Sequence, residues 1–163
     1  NGIERLGKYQ NLIVTRTFSK IYGLAGLRVG YGISSPQIAD VLNRVRQPFN
    51  VNTPAQVAAE AALQDDDHIE NSRSENTSGL VQIAEGLQTL NLEQIPSVAN
   101  FIAFDCGRDA MPVYEGLLRQ GVIVRPLGGY GMPNHLRVTV GTSRENERFL
   151  DALKHVLKEM ANG

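Results

Sequence analysis

The sequence predicts an α/β protein in two parts, the trailing part of a parallel α/β domain followed by a small α+β domain. Three observations carry that expectation. A β-branched run (Leu12, Ile13, Val14, Thr15) leads into a glycine-punctuated stretch, a second alternation and two helical patterns. Residues 65–79 turn polar and acidic, a shift in composition that reads as a connector. Residues 95–163 then interleave short apolar runs with two amphipathic helices. At 163 residues and 42% hydrophobic content the chain can bury a sizeable core.

Taken in order, residues 11–17 are short, apolar and β-branched, which predicts a buried strand. Leu27, Val29 and Tyr31 alternate around Arg28 and Gly30 and predict a second strand. Ser35-Pro36 is an N-cap followed by proline at the first helical position. Ile38, Val41, Leu42 and Val45 supply that helix with one apolar stripe. Thr53-Pro54-Ala55-Gln56 reads as a capping box opening an alanine-rich helix to about Gln64. Residues 1–64 thus form the first domain.

Residues 65–94 are expected to be a helical connector, in which Leu80, Ile83, Leu87 and Leu90 show helical spacing. The small domain follows over 95–163, with strands at Phe101–Phe104, Val122–Arg125 and Leu136–Val140 and a helix at 111–120. A glycine-rich turn (Gly128, Gly129, Gly131) links the last two strands. Thr142-Ser143-Arg144-Glu145 is a second capping box. It opens a final helix whose apolar face is Phe149, Leu150, Leu153, Val156, Leu157 and Met160.

Composition excludes several function classes. A net charge of -1 gives no electrostatic reason for nucleic acid to bind. No apolar run approaches the ~18 residues that would span a bilayer, and Asn1-Gly2-Ile3-Glu4-Arg5 is no signal sequence, so a cytoplasmic protein is expected. Cys106 is alone and reads as a small core or surface thiol. Asp65, Asp66 and Asp67 are consecutive, so on a helix they fan around the axis instead of converging, and no metal site is expected.

The chemistry concentrates in Thr17-Phe18-Ser19-Lys20-Ile21-Tyr22-Gly23-Leu24-Ala25-Gly26-Leu27-Arg28-Val29-Gly30-Tyr31. Lys20 would stand just past a strand, where ligands collect in open α/β sheets. Thr17 and Ser19 offer hydroxyls, and Arg28 can grip a phosphate bidentately. One amine beside such donors suits a phosphorylated aldehyde, provided the amine spends time neutral, which burial and nearby cations favour. Taken alone, Lys20 is a surface lysine after a strand. Nucleotide motifs do not fit: no GxxxxGK precedes the lysine, and Ser35 stands where a dinucleotide fingerprint opening at Gly30 needs its third glycine.

The whole string decides the matter. Thr-x-Ser-Lys, Gly-Leu-Ala-Gly and Leu-Arg-x-Gly-Tyr in register resemble the lysine segment of pyridoxal-phosphate aminotransferases of the aspartate-aminotransferase fold, most closely the histidinol-phosphate aminotransferases. Pro96-Ser97-Val98-Ala99-Asn100-Phe101 resembles the first small-domain strand of those enzymes. Gly121-Val122-Ile123-Val124-Arg125-Pro126 and His135-Leu136-Arg137-Val138-Thr139-Val140-Gly141-Thr142 resemble their substrate-arginine strands. The resemblance runs over residues 11–157 and is weakest at 65–90.

It implies that residues 1–64 are the trailing part of a cofactor-binding large domain and 95–163 a substrate-clamping small domain. Lys20 would condense with the cofactor aldehyde and later shuttle a proton, while Thr17, Ser19 and Arg28 hold the cofactor phosphate. Arg137 would bind the α-carboxylate of glutamate, and Arg125 the substrate phosphate or a second carboxylate. The implied reaction is transamination of L-histidinol phosphate with 2-oxoglutarate in histidine biosynthesis, by a homodimer. Threonine-phosphate decarboxylases and aromatic or aspartate-type aminotransferases share the pattern. A reading from another class is a non-catalytic binding or assembly module.

Apart from the resemblance, Leu136, Val138 and Val140 point to one face of a strand and Arg137 and Thr139 to the other, so Arg137 is off the core face. The plain alternative is an exposed strand arginine, and Arg125 is similar. Two arginines on paired strands could equally clamp an anion. A pyridoxal site also needs an acid for the ring nitrogen, and Glu4 is the only acid before Lys20, in a segment unlike that motif. The chain is therefore expected to be the carboxyl-terminal part of an enzyme roughly twice its length, inactive alone.

Overall fold

The computed structural model describes residues 1–162, the last of them by its backbone alone. It divides into two compact units, Asn1–Ser72 and the part from Arg73 onward.

In the first unit β1 (Val14–Thr17) pairs with β2 (Gly30–Ile33), Val14 opposite Ile33 and Thr17 opposite Gly30. The pairing is antiparallel, as is every ladder among the described residues, which corrects the expectation of parallel strands here. Parallel neighbours need a crossover, usually a helix. Residues 18–29 instead hold one 3-10 turn, Ala25–Leu27, and the Phe18 N–H donates to the Val29 carbonyl at 3.2 Å, closing a hairpin. Both strands are shorter than expected, and only Val14 of β1 is buried, because a two-stranded ribbon has little to pack against. The second starts at Gly30 and not at Leu27, since Arg28 adopts a left-handed conformation (φ 54°, ψ 49°) that no strand accommodates.

Helix α1 (Pro36–Val45) carries its proline at the first position, as the sequence implied, yet none of its residues is buried. Val41, Leu42 and Val45 of its apolar stripe are 57%, 46% and 74% exposed. Helix α2 (Thr53–Ala62) is capped one residue earlier than expected: Asn52 Oδ1 accepts the Ala55 N–H at 2.8 Å. Asparagine outranks threonine at this position. Ala55 and Ala59 of α2 pack with Phe18 and Val29 into a small core, bordered by Tyr22, Leu24, Leu27 and Val51.

Helix α3 (Asp66–Thr89) takes in the acidic stretch as its own start. Asp65 Oδ1 accepts the His68 N–H at 3.0 Å, and Asp66 and Asp67 lie in the first turn, where negative charge complements the helix dipole. The aspartates are helix-initiating residues, and no metal-binding cluster occurs among the described residues.

The second unit is an antiparallel sheet of order β3-β4-β6-β5, built from β3 (Gln94–Ile95), β4 (Phe101–Asp105), β5 (Arg125–Pro126) and β6 (His135–Thr139). Helices α4 (Ala110–Arg119) and α5 (Ser143–Asn162) complete it. The alternation read from the sequence holds: Ile102, Phe104, Leu136 and Val138 are buried, and the residues between them are not. Those four join Ile83 and Leu87 of α3, Val113 and Leu117 of α4, and Phe149, Leu153 and Val156 of α5 in one core. Helices α4 and α5 approach closely enough that a Cβ on Gly116 would come within 2.6 Å of Val156 Cγ1.

Val122–Val124 is not a strand; the ladder begins only at Arg125. The Val122 N–H still donates to the Leu117 carbonyl, beyond Gly121 at φ 73°, so this stretch finishes the helix exit before it can pair.

Candidate functional site

The predicted residues fall into two groups, one in each unit. Lys20 lies in the β1–β2 hairpin. Because Thr17 faces Gly30 and Phe18 bonds Val29, the backbone brings Ser19 and Lys20 to the same hairpin end as Arg28. Phe18, 4% exposed, anchors that end through contacts with Tyr22 (ring centroids 4.8 Å apart) and Tyr31 (5.8 Å). The turn is tightened by Gly23 N–H to the Lys20 carbonyl at 2.8 Å and Leu24 N–H to the Phe18 carbonyl at 3.0 Å. Gly30 permits the close return: a Cβ there would sit 2.7 Å from the Arg16 carbonyl oxygen.

Thr17 Oγ1 accepts the Ser19 N–H at 3.0 Å, which leaves its own hydroxyl hydrogen free to donate. Arg28 uses Nη1 to donate to the Ala25 carbonyl at 2.7 Å, fixing one edge of the guanidinium. Its left-handed backbone is strain stored at the hairpin end. Lys20 itself is exposed. His68 Nε2 reaches the Ile21 carbonyl at 3.0 Å, a tether next to Lys20 that no sequence motif signalled.

The second group lies on the sheet. Arg125 on β5 is directly opposite Arg137 on β6, and Arg137 is opposite Ala103 on β4. The three form one cross-strand row on the face away from the core. Like charges directly opposite repel, and neither arginine has an ion-pair partner among the described residues. Arg137 instead stacks over Phe101, its guanidinium carbon 4.6 Å from the ring centroid. Its Nε and His135 Nδ1 are buried without hydrogen-bond partners. Arg125 Nη2 donates to Tyr130 Oη at 2.7 Å. The row is a concentrated positive site with spare donors, suited to a carboxylate or phosphate.

The strand that carries Arg137 is held at its exit by Asn146, 2% exposed. Its side chain accepts the Gly141 N–H at 2.9 Å and donates to the Gly141 carbonyl and to Gln82 Oε1 at 3.1 Å each. At the same corner Glu145 Oε2 accepts the Thr142 N–H at 2.8 Å, the reach-back half of the predicted capping box, and the Thr142 hydroxyl donates to the same oxygen at 2.9 Å. That bond, with the Thr142 hydroxyl, holds the Glu145 carboxyl below its ordinary value. Cys106 is buried; desolvation, aided by Asp105, pushes its thiol up to about 12, which leaves it unreactive.

Sequence reasoning assigned no role to Phe101 or Asn146, and read Tyr130 in its glycine turn equally as a residue that could approach substrate or as loop packing. Phe101 gave a signal, since it shares the off-core parity of Ala103. Asn146 gave none, because a polar residue in a helix ordinarily reads as solvent-facing.

With this geometry in view, comparison with known proteins is informative. Residues 2–153 match the family model described as aminotransferase class I and II. Histidinol-phosphate aminotransferase 2 of Pseudomonas fluorescens (strain Pf0-1) is 60% identical over 157 residues, 96% of this chain and 42% of that relative. Histidinol-phosphate aminotransferase 1 of Nitrosococcus oceani is 57% identical over 94% of this chain and 42% of its own length. The chain thus spans less than half the length of these curated relatives. Among solved structures, histidinol-phosphate aminotransferase from Sinorhizobium meliloti in complex with pyridoxal-5'-phosphate superposes with a TM-score of 0.88. It is 31% identical, and the match covers 97% of this chain and 44% of that one. The two-unit α/β architecture is therefore a fragment of that transferase fold, and the chain belongs to the aminotransferase class I and II family.

Proposed function

We propose that this chain is the carboxyl-terminal part of a pyridoxal-phosphate-dependent aminotransferase that acts on L-histidinol phosphate and 2-oxoglutarate in histidine biosynthesis. The whole protein is taken to be a cytoplasmic homodimer. In this reading residues 1–64 close the cofactor-binding domain, 65–94 connect, and 95–163 clamp the substrate. The observation that carries it is the hairpin end where Lys20 stands with Thr17, Ser19 and Arg28.

That donor set fits a phosphorylated aldehyde. Arg28 and the Thr17 and Ser19 hydroxyls hold the phosphate, and the Thr17 hydroxyl, whose oxygen accepts the Ser19 N–H, still has its hydrogen to donate. When bound, pyridoxal phosphate supplies an electron sink that makes the substrate α-hydrogen acidic. Lys20 Nζ takes that proton as a base and returns it as an acid. Arg137, its guanidinium over the Phe101 ring, binds the α-carboxylate of glutamate, and Arg125 meets the phosphate or the second carboxylate.

Borohydride trapping of the full-length protein with pyridoxal phosphate should leave the pyridoxyl mass on the peptide that contains Lys20. Lys20→Ala should abolish the label and lower kcat by about a thousandfold or more. Histidinol phosphate should outcompete threonine phosphate as substrate, and the 163-residue chain alone should not turn over. A label on another lysine, or preferential decarboxylation of threonine phosphate, would overturn the reading.

A further inference from the structure

Tyr130 is 64% exposed on a glycine turn, where its phenol can meet a ligand. The turn is built to bring it back. Leu127, 7% exposed, plugs into the unit, its N–H donating to the His135 carbonyl at 3.0 Å. Its own carbonyl accepts the N–H groups of Tyr130 at 2.9 Å and Met132 at 3.3 Å. Gly131, at φ 77°, lets the chain leave in the left-handed region. Five residues after Arg125, the phenol is thereby returned to that residue's guanidinium, 2.7 Å from Nη2.

The chemistry of the partner matters more than its presence. A carboxylate at position 130 would hold Arg125 as well, but would cancel its charge. Tyr130 accepts one N–H and stays neutral, so Arg125 keeps its full positive charge beside the unpaired Arg137. The Tyr130 hydroxyl hydrogen is then left to donate in its turn. We propose that Tyr130 is the positioning residue that fixes Arg125 as the receptor for a phosphate monoester, and itself supplies one hydrogen bond to that group. The proposal rests on the reading of Arg125 as the second anion contact, but its test does not depend on catalysis.

Inorganic phosphate is titrated into the 163-residue chain, with arginine side-chain NMR signals as the readout and methylphosphonate and glutarate as parallel probes. Tyr130→Phe should weaken phosphate binding roughly three- to tenfold, the size of one typical hydrogen bond. Arg125→Gln should weaken it more, and adding Tyr130→Phe to Arg125→Gln should cost less than Tyr130→Phe does alone, because only its direct bond to phosphate is then left to lose. Tyr130→Glu, which preserves the hold and cancels the charge, should be as damaging as Arg125→Gln. Phosphate binding unaltered by Tyr130→Phe, or equal losses with and without Arg125, would overturn the proposal, as would no phosphate binding by the unaltered chain. In the full-length protein the same Tyr130→Phe change should raise KM for histidinol phosphate by a similar factor and leave kcat within about twofold. An inactive full-length protein whose phosphate titration behaves as stated would sink the proposed reaction and spare the role of Tyr130.

Discussion

Arg28 shows how a functional residue can work against the stability of its own backbone. A side chain in the left-handed region costs about 1–2 kcal/mol relative to glycine, and Arg28 sits there at φ 54°. Its guanidinium is nevertheless what the hairpin offers to an anion. Stability and binding should therefore part company in Arg28→Gly. The melting temperature of the chain should hold or rise, while the full-length protein should lose cofactor affinity by more than about tenfold. Calorimetry and a cofactor titration on the same variant check both halves, and a drop in both would mean that Arg28 is held there for structure. In sequence the residue looked like the middle of a strand, because alternation of Leu27, Val29 and Tyr31 says nothing about φ. Arg137 was legible for the opposite reason: strand parity alone places a side chain off the core face. That Arg125 stands opposite it depended on register, which no local pattern encodes.

At the scale of elements, caps decided boundaries that periodicity left loose. Asn52 took the start of α2 from Thr53, and Asp65 started α3 inside a stretch whose polarity suggested a linker. The capping box at α5 was readable because Thr142 and Glu145 carry the whole signal in four residues, and it makes a pH-dependent prediction. Glu145 is held below the ordinary value of 4.5 by the Thr142 N–H, so its stabilisation is complete above that value. It drains away as the pH falls through the lowered one. Glu145→Ala should therefore lower the melting temperature at pH ~7 and lower it less at an acid pH beneath the lowered value, where the carboxyl is protonated in both states of the chain. An equal difference at the two pH values would show that the residue acts through packing. The strand expected at Val122–Val124 failed for a reason of the same kind: the helix exit through Gly121 consumed its first N–H.

For the whole molecule, the informative asymmetry is between the two cores. The second unit buries Ile83, Leu87, Ile102, Phe104, Leu117, Leu136 and Leu153 essentially completely, and its sheet and helices share one apolar interior. The first relies on Phe18, Val29, Ala55 and Ala59, two of them alanines, and leaves Val45 and Phe49 74% and 97% exposed. At about 25 cal/mol per Å² of apolar surface removed from water, so small a core opposes little of the conformational entropy of its residues. The fold class was legible because periodicity survives in both units. This imbalance was not, since an amphipathic stripe such as that of α1 looks the same whether or not anything covers it. Opening should accordingly be local and uneven. In native-state hydrogen exchange the amides of β1, β2 and α2 should exchange through low-energy openings. Those of β4, β6, α4 and α5 should show the highest protection, approaching that of global unfolding. Hairpin amides as slow as those of β4 and β6 would mean that the first unit draws stability from something other than its four-residue core.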